Sequence, residues 1–470
     1  LKYEELPEIP GIWLDFLSSR LSFQPGYASL HAPSGNLGSG GNRTKPNEDF
    51  FRFLAKGQRD SSGAHQSIQR LRQSQCGVVI ANLCGSLLGG PMSQIFKCLT
   101  AIRVREELEA SGISALPLCW VGSACPVGSP RGSVTLELHR LHLGDSETIS
   151  FSPSEPLPAK RVSSLLSRVE ELGRGTFDAE TLEILKAAFV AETTVSSASA
   201  HLLTDLMEPW GMVVLDADDP EFNAIKSEAL EQMPFQVRDL QSLAQKQGAA
   251  LNHAGYEGKL AKSFLLDFLV QNWMLPVLAY VIDPWEVYSC AAALPAIEGA
   301  GMPQPLFWPR ASATIADARS RRTLQRYKLS LHQLFSGEAE VTKAILNGVP
   351  RSATAKLNDL KREVETRIDD LKAIDPSGKE LMKKAFSHRK RILYQLEKLH
   401  RLCAAAHIRK EHAVSRQIHR VCSLLAPNRR LQENELAGVQ IPLRYSRAGL
   451  RLLYEKLNVM INEHQLISMD

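Results

Sequence analysis

Gly77-Val78-Val79-Ile80-Ala81, then Asn82-Leu83-Cys84-Gly85-Ser86-Leu87-Leu88-Gly89-Gly90-Pro91, then Met92 to Glu109: this stretch decides the fold. The first piece is an unbroken apolar run of strand length. The second is rich in glycine, and the third sets Ile95, Leu99, Ile102 and Leu108 on one helical stripe that Ser111-Gly112 stops. Ala115-Leu116-Pro117-Leu118-Cys119-Trp120-Val121 supplies the next buried run. Strand, loop, helix and strand form one βαβ unit, whose crossover is expected to be right-handed.

Working outward, the pattern repeats with interruptions. Sequence from about His142 to Leu206 turns polar, with Val162, Leu165, Leu166, Val169 and Leu172 marking an amphipathic helix, and reads as a helical insertion. The strand pattern resumes at Gly211-Met212-Val213-Val214-Leu215 and runs into Asp216-Ala217-Asp218-Asp219-Pro220. A second insertion is expected over about Glu221 to Lys262, before a buried helix from Phe264 and a strand through Pro276-Val277-Leu278-Ala279-Tyr280-Val281. Pro303, Pro305 and Pro309 are expected to break the pattern around Leu306-Phe307-Trp308, and Pro309 to Ile315 closes the α/β part. The Gly/Ser/Asn-rich segment from Pro33 to Pro46 reads as a flexible loop.

Beyond Arg319 long helices dominate. Leu357, Leu360, Val364, Ile368 and Leu371 mark one, and apolar positions from Leu381 to Leu425 recur at three- and four-residue steps along another, with Asp375-Pro376-Ser377-Gly378 between them. This is the pattern of an antiparallel coiled-coil hairpin, and a hairpin of that length suggests a homodimer. The expected division is a core in three parts (1–141, 207–220 and 263–335), helical insertions at 142–206 and 221–262, a coiled coil at 336–426 and a C-terminal helical segment at 427–470.

Composition limits the function classes. With 470 residues, 44% of them hydrophobic, and 55 Lys+Arg against 51 Asp+Glu, the chain can bury a large core and is not disordered as a whole. A net charge of +4 is too weak a field for nucleic-acid binding by bulk charge, so no nucleic-acid partner is expected. No window reads as a membrane span or a secretory signal, and a cytoplasmic location is expected. The eight cysteines show no C-x-x-C spacing, which reads as reduced thiols in core positions, and no metal is expected.

Several positions could carry chemistry. The loop from Asn82 through Gly89 and Gly90 joins a strand to a helix, where backbone N–H groups could approach phosphate or carboxylate; a plain tight turn is the rival. Asp216, Asp218 and Asp219 stand at the carboxyl end of a buried strand, where open α/β sheets bind ligands, and could hold a metal, a ribose or an amine. The rival there is a helix cap. Arg310 with Ser312 and Thr314 could grip phosphates, or Arg310 could pair with a nearby acid at a strand edge.

The order of these motifs resembles the bacillithiol-biosynthesis BshC family of cysteine ligases. The resemblance rests on Gly89-Gly90-Pro91 with Ile95-Phe96-Lys97 and Thr100-Ala101-Ile102-Arg103; Leu215 to Pro220; Gln271 with Leu275-Pro276 and Ala279-Tyr280-Val281; Pro309-Arg310-Ala311-Ser312-Ala313-Thr314; Gln395 to Leu399; and Leu425-Ala426-Pro427-Asn428-Arg429-Arg430-Leu431-Gln432-Glu433. It implies a Rossmann-like α/β core with two helical connecting insertions and a C-terminal antiparallel coiled coil that dimerises. It also implies the last step of bacillithiol synthesis, an amide bond between the carboxylate of L-cysteine and the amine of glucosaminyl-malate, with ATP or ADP as the nucleotide.

On that reading Asp216 and Arg310 are the catalytic candidates, and Asn82, Gly89, Gly90, Lys97, Asp218, Gln271, Ser312 and Thr314 would bind substrate or nucleotide. The chain departs from the family at Leu83 and Cys84, where a glutamine pair is expected, and along Trp120 to Gly128, where an acid-rich run with a histidine is expected. It departs again at Asp267, in place of an arginine, and at Ile282-Asp283, in place of two glycines. Two functions therefore compete: a divergent ligase, and a degenerate homologue that keeps the dimeric scaffold to bind a nucleotide or partner.

Overall fold

The computed structural model describes residues 1–21, 25, 46–58, 61–124, 133–136, 139–142, 156–173, 175–233, 235–256, 258–347, 352–374 and 379–469. The Pro33–Pro46 loop (apart from Pro46), the Asp375–Gly378 turn and Cys125 lie outside them. The strands are β1 (Gly77–Cys84), β2 (Ala115–Gly122), β3 (Ser133–Leu136), β4 (His139–His142), β5 (Val213–Asp216), β6 (Val277–Ile282), β7 (Leu306–Pro309), β8 (Ser312–Ala316) and β9 (His464–Ser468).

Five strands form one sheet in the order β5-β2-β1-β6-β7. All four of its pairings are parallel. Counted by appearance within that sheet, the order is 3-2-1-4-5, the doubly wound arrangement whose direction of winding reverses between β1 and β6. The βαβ unit explains the centre of the sheet: β1 and β2 pair along their whole length, from Gly77 with Ala115 to Cys84 with Gly122. The connecting helix Met92–Ala110 buries Ile95, Phe96, Leu99, Ile102 and Leu108. Val78 to Ala81 and all of β2 are buried, as strands covered on both faces must be.

Around Leu306-Phe307-Trp308 the structure corrects the sequence reading. The prolines do not break the pattern, because Leu306–Pro309 is the edge strand of the main sheet, paired through Leu306 with Ala279 and Pro309 with Ile282. Proline is tolerated at an edge, where no second neighbour needs its missing N–H. The run after it leaves this sheet, and β8 pairs instead with β9 in a separate two-stranded parallel sheet.

The opposite edge is closed by a side chain. Fully buried Gln58, at the end of the helix Glu48–Gly57, donates Nε2 to the Val214 carbonyl at 2.7 Å and accepts the Val214 N–H through Oε1 at 2.9 Å. One amide thus serves β5 as a neighbouring strand would. Gln58→Leu strands both backbone groups and is expected to lower stability by about 2–3 kcal/mol, which urea unfolding of the variant would measure.

The chain divides into two compact units, residues 1–318 with 430–470, and residues 319–429. The C-terminal segment therefore folds with the α/β core, which it joins through β9. The second unit contains the long helices Ser352–Ile374 and Lys379–Leu425, whose pairing includes Arg389 with Asp369 at 3.2 Å and Lys361 with Glu397 at 3.7 Å. Helix Glu338–Asn347 packs on Lys379–Leu425, with Glu338 against His419 at 2.8 Å.

Among the described residues, no helix is long and apolar enough to cross a membrane, and no group of three or more His, Cys, Asp or Glu could hold a metal ion. Cys76, Cys98, Cys119, Cys290 and Cys422 are free and buried. Cys84 departs from the expectation of reduced thiols, being disulfide-bonded at the end of β1.

Candidate functional site

Ligands of doubly wound sheets sit beyond the carboxyl ends of the strands, near the reversal point. Here those ends are Asn82 to Cys84 of β1, Trp120 to Gly122 of β2, Asp216 of β5 and Asp283 just after β6. A narrow cleft of about 10 Å³, room for about one water, lined by Asn82, Leu83, Trp120, Gly122, Ala124, Phe264 and Asp267, lies among them. A larger cavity, about 440 Å³, is lined by Gln58, Ser61, Glu180, Ile184, Thr204, Asp205, Glu208 and Arg447. It lies towards the amino end of β5, since Gly63 meets Gly211 there. The narrow cleft is the stronger candidate because its neighbouring carboxyl groups are displaced in pKa, as groups in ligand sites commonly are.

Asp216 ends β5 and turns into the loop that opens the helix Pro220–Glu231. Burial pushes its carboxyl up to about 7, against a hydrogen bond from the Asp218 N–H at 3.1 Å, with the nearby charges of Asp218 and Asp219 adding to the rise. Asp218 is fixed differently, accepting from the Ser123 hydroxyl at 2.8 Å and the Ser196 hydroxyl at 2.6 Å. Asp219 has the role its sequence suggested, a cap whose carboxylate accepts from Glu221 N–H at 2.8 Å.

The other wall comes from the helix Lys262–Met274. Asp267 accepts from Trp120 Nε1 at 3.2 Å and pairs with Lys226 at 3.3 Å. Burial raises its carboxyl despite the opposition of Lys226. One turn on, buried Gln271 donates Nε2 to Asn82 Oδ1 at 2.7 Å.

Lys97 and Arg310 reach the same region from below and are wholly enclosed. Lys97 donates to the Asn82 carbonyl at 2.7 Å, to Glu286, and to Asp283 at 3.4 Å. Burial works against its ammonium, but Glu286 and Asp283 outweigh it and leave the pKa raised. Arg310 donates to Asp283, to Glu433 at 3.0 Å and to its neighbour's carbonyl. Burial likewise opposes its charge, and Glu433 with Asp283 more than compensates. Against the opposing effect of desolvation, Arg310 and Lys97 in turn hold the half-buried Asp283 carboxyl below its ordinary value.

Glu433 also accepts from the Ser312 hydroxyl and the Ala313 N–H, both at 2.7 Å. His464 lies between Ser312 and Thr314, at 2.6 and 2.8 Å, and burial pushes it down to about 4, so its ring is neutral. Arg310 thus has acid partners as one sequence alternative had it, and Ser312 and Thr314 are engaged inside the protein.

The glycine loop is covered. Gly89 and Gly90 both have positive φ, and Leu87 to Gly90 are all buried. The Gly438 N–H donates to the Gly90 carbonyl at 2.6 Å, Val439 to Leu88 at 3.1 Å, and the Met92 N–H at the helix start donates to the Leu436 carbonyl at 2.8 Å. The loop's residues therefore do not fit a nucleotide phosphate here, since residues 436–439 take the place such a group would need.

Of the residues singled out by sequence, Asn82 lines the cleft, fully buried Gln271 bonds Asn82 from behind, Asp218 lies beside Gly122 of the lining, and Asp216 pairs with Val121 on the neighbouring strand. Lys97, Arg310, Ser312 and Thr314 share one buried network that reaches the lining through the Asn82 carbonyl, and Gly89 and Gly90 stand apart. Lys226, Ser123, Ser196, Glu286, Glu433 and His464 were missed. Nothing local marks them, since Lys97 meets Glu286 across 189 residues and Arg310 meets Glu433 across 123. Asp267 was visible only as a departure from a family pattern.

A parallel 3-2-1-4-5 sheet with polar groups gathered at its carboxyl edge, followed by long paired helices, defines a Rossmann-like protein with a coiled-coil appendage. Residues 39–264 match the family model described as "Bacillithiol biosynthesis BshC, N-terminal Rossmann-like domain", and residues 313–469 match "Bacillithiol biosynthesis BshC, C-terminal coiled-coil domain". The chain belongs to the BshC family.

Among its relatives is "Putative cysteine ligase BshC" of Koribacter versatilis, 23% identical over 448 residues and covering 82% of each chain. The protein of the same name from Solibacter usitatus is 21% identical, over 85% of this chain and 86% of its own. A solved structure titled as an arginyl-tRNA synthetase of Campylobacter jejuni aligns with 83% of this chain and 97% of its own at 10% identity, and its TM-score of 0.26 carries no argument about the fold.

Proposed function

We propose that the chain is a ligase joining the carboxyl group of L-cysteine to the amine of glucosaminyl-malate, the last step of bacillithiol synthesis. The observation that carries this reading, in a BshC-family chain, is Asp216 at a strand end with its carboxyl pushed up to about 7. An amine attacks only when neutral and sheds a proton as the C–N bond forms, and a carboxylate that titrates near 7 suits the task of accepting it. Activation of the cysteine carboxyl would draw on ATP as co-substrate, bound elsewhere than at the glycine loop.

A homodimer through the paired helices belongs to the same reading. Phe386, Ile392, Tyr394, Leu399 and Leu402 are exposed along Lys379–Leu425, an apolar load that a second copy would cover. With cysteine and ATP as substrates, the cytoplasm is the expected location.

The second reading, a homologue that binds without catalysing, is favoured by one observation: Lys97 and Arg310 already have internal acid partners. Incubation with cysteine, glucosaminyl-malate and ATP, followed by mass spectrometry, separates the two. Formation of bacillithiol supports the ligase, and repeated absence of product beside an active relative leaves the binding reading.

A further inference from the structure

The larger cavity, of about 440 Å³, is of ligand size and stands at the other end of β5 from the narrow cleft. Four pieces of the first unit wall it. Glu180 and Ile184 come from the helix Ala179–Ala188, Thr204 and Asp205 from the end of the helix Val195–Met207 with Glu208 just beyond, and Arg447 from the helix Gln440–Lys456. Gln58 and Ser61, which precede the helix Ser62–Arg72, complete the wall.

Carboxylates outnumber cations here. Glu180, Asp205 and Glu208 share the lining with Arg447. Arg447 is spent on the walls: it donates to Glu180 at 3.1 Å and to the Asp205 carbonyl at 2.6 Å, with Glu208 at 3.8 Å. It braces the elements and still leaves acid in surplus. A concave surface lined mainly by one sign of charge concentrates the opposite sign. Asp205 and Glu208 also stand at the C-terminal end of a helix, whose last carbonyls carry partial negative charge and favour a cation beside them.

The buried floor has the matching hydrogen-bond sense. Ser61 and Thr204 are each 4% exposed. Thr204 gives its hydroxyl proton to the Ala200 carbonyl at 2.8 Å, so towards a ligand its oxygen only accepts, and among the described residues nothing donates to it. The Ser61 oxygen takes one long bond, from the Ala64 N–H at 3.4 Å, and keeps a lone pair. An ammonium group supplies donors to both. A metal ion does not fit in its stead, because no group of three or more His, Cys, Asp or Glu among the described residues could hold one.

We propose that this cavity binds a small aliphatic polyamine, with its ammonium groups against Glu180 and Glu208 at the mouth and against the Thr204 and Ser61 hydroxyls within. Several amines along one chain meet the acids and the hydroxyls together. An amino acid would bring a carboxylate against the same acids, and a polyamine brings none. The site is separate from the narrow cleft, and the proposal holds whether or not the chain ligates cysteine.

Titration calorimetry of the full-length chain with spermidine, at constant ionic strength, tests this. A single site is expected, and Glu180→Gln combined with Glu208→Gln is expected to weaken binding by about tenfold or more, as loss of close charge pairs at binding sites does. Both side chains are exposed, and an amide in place of the Glu180 carboxylate still accepts from Arg447, so this variant is expected to fold. Glu363→Gln combined with Asp370→Asn removes as much charge from the second unit and should leave the affinity unchanged. Thr204→Val should weaken binding about fivefold, the worth of one hydrogen bond, and it decides the matter if the glutamine variant fails to fold. Absence of binding at millimolar spermidine overturns the proposal, as does an equal loss in the two charge variants or no loss in the variants of the cavity.

Discussion

Asp216→Asn is expected to lower kcat/KM for cysteine ligation by about a thousandfold, within the usual range for removal of a general base. In the unaltered chain, activity should climb with pH through about 7, because Asp216 accepts a proton only once it is ionised. The variant should lose that limb while the residual rate stays flat, and a pH profile of both proteins reads this directly.

Stability should move the other way. Folding raises the Asp216 carboxyl from 3.8 to about 7, so the folded chain binds this proton more tightly than the unfolded chain does. Its favourable contribution is complete below about pH 4 and is lost as pH rises through about 7. Asn cannot ionise, and the variant is therefore expected to melt higher than the unaltered chain at pH 8, by a margin that shrinks at pH 5 and closes only below about pH 4. Loss of activity together with gain of stability at high pH separates a working carboxylate from a structural one. Equal melting temperatures at pH 8 would show that Asp216 is not held in the environment described.

The second large effect is expected at Arg310. Arg310→Met leaves Asp283 and Glu433 facing each other without the guanidinium, Glu433 with only 1% of its side chain exposed. Breaking a buried pair by removing one partner costs about 3–5 kcal/mol, because the remaining charge has neither water nor a counter-ion. Adding Glu433→Gln should recover part of the loss, since the neutral amide can still accept from Ser312 and Ala313. Denaturant unfolding of both single variants and the double variant gives the coupling, and strict additivity would show that the pair does not act as a unit.

Much of the architecture was legible because it depends on local pattern. The β1 to β2 unit, the strand ending at Asp216, the buried helix over Asp267 and Gln271, and the two long helices each carry their own periodicity. Leu306–Pro309 was misread because its prolines are acceptable only at a sheet edge, and nothing in those residues announces an edge. The cleft was half legible. Asp216 and Asp218 follow from a buried strand running into acids, but the use made of Lys97 and Arg310 depends on Asp283, Glu286 and Glu433. Periodicity does not join residues so far apart, and the same Arg-x-Ser-x-Thr pattern would read alike over a phosphate or over an internal glutamate.

The return of residues 430–470 to the first unit has a consequence for how the protein is made. When Arg310 leaves the ribosome, its partner Glu433 is still 123 residues away. At the usual pace of translation that is a delay of roughly 6–25 s. Through it β8 lacks β9, Ile315 lacks the side chain of Gln432 that will bond both its N–H and its C=O, and Gly90 lacks Gly438. The α/β core therefore matures only after the intervening helices have been synthesised. A nascent chain stalled within those helices would carry an incomplete core for chaperones and proteases to find.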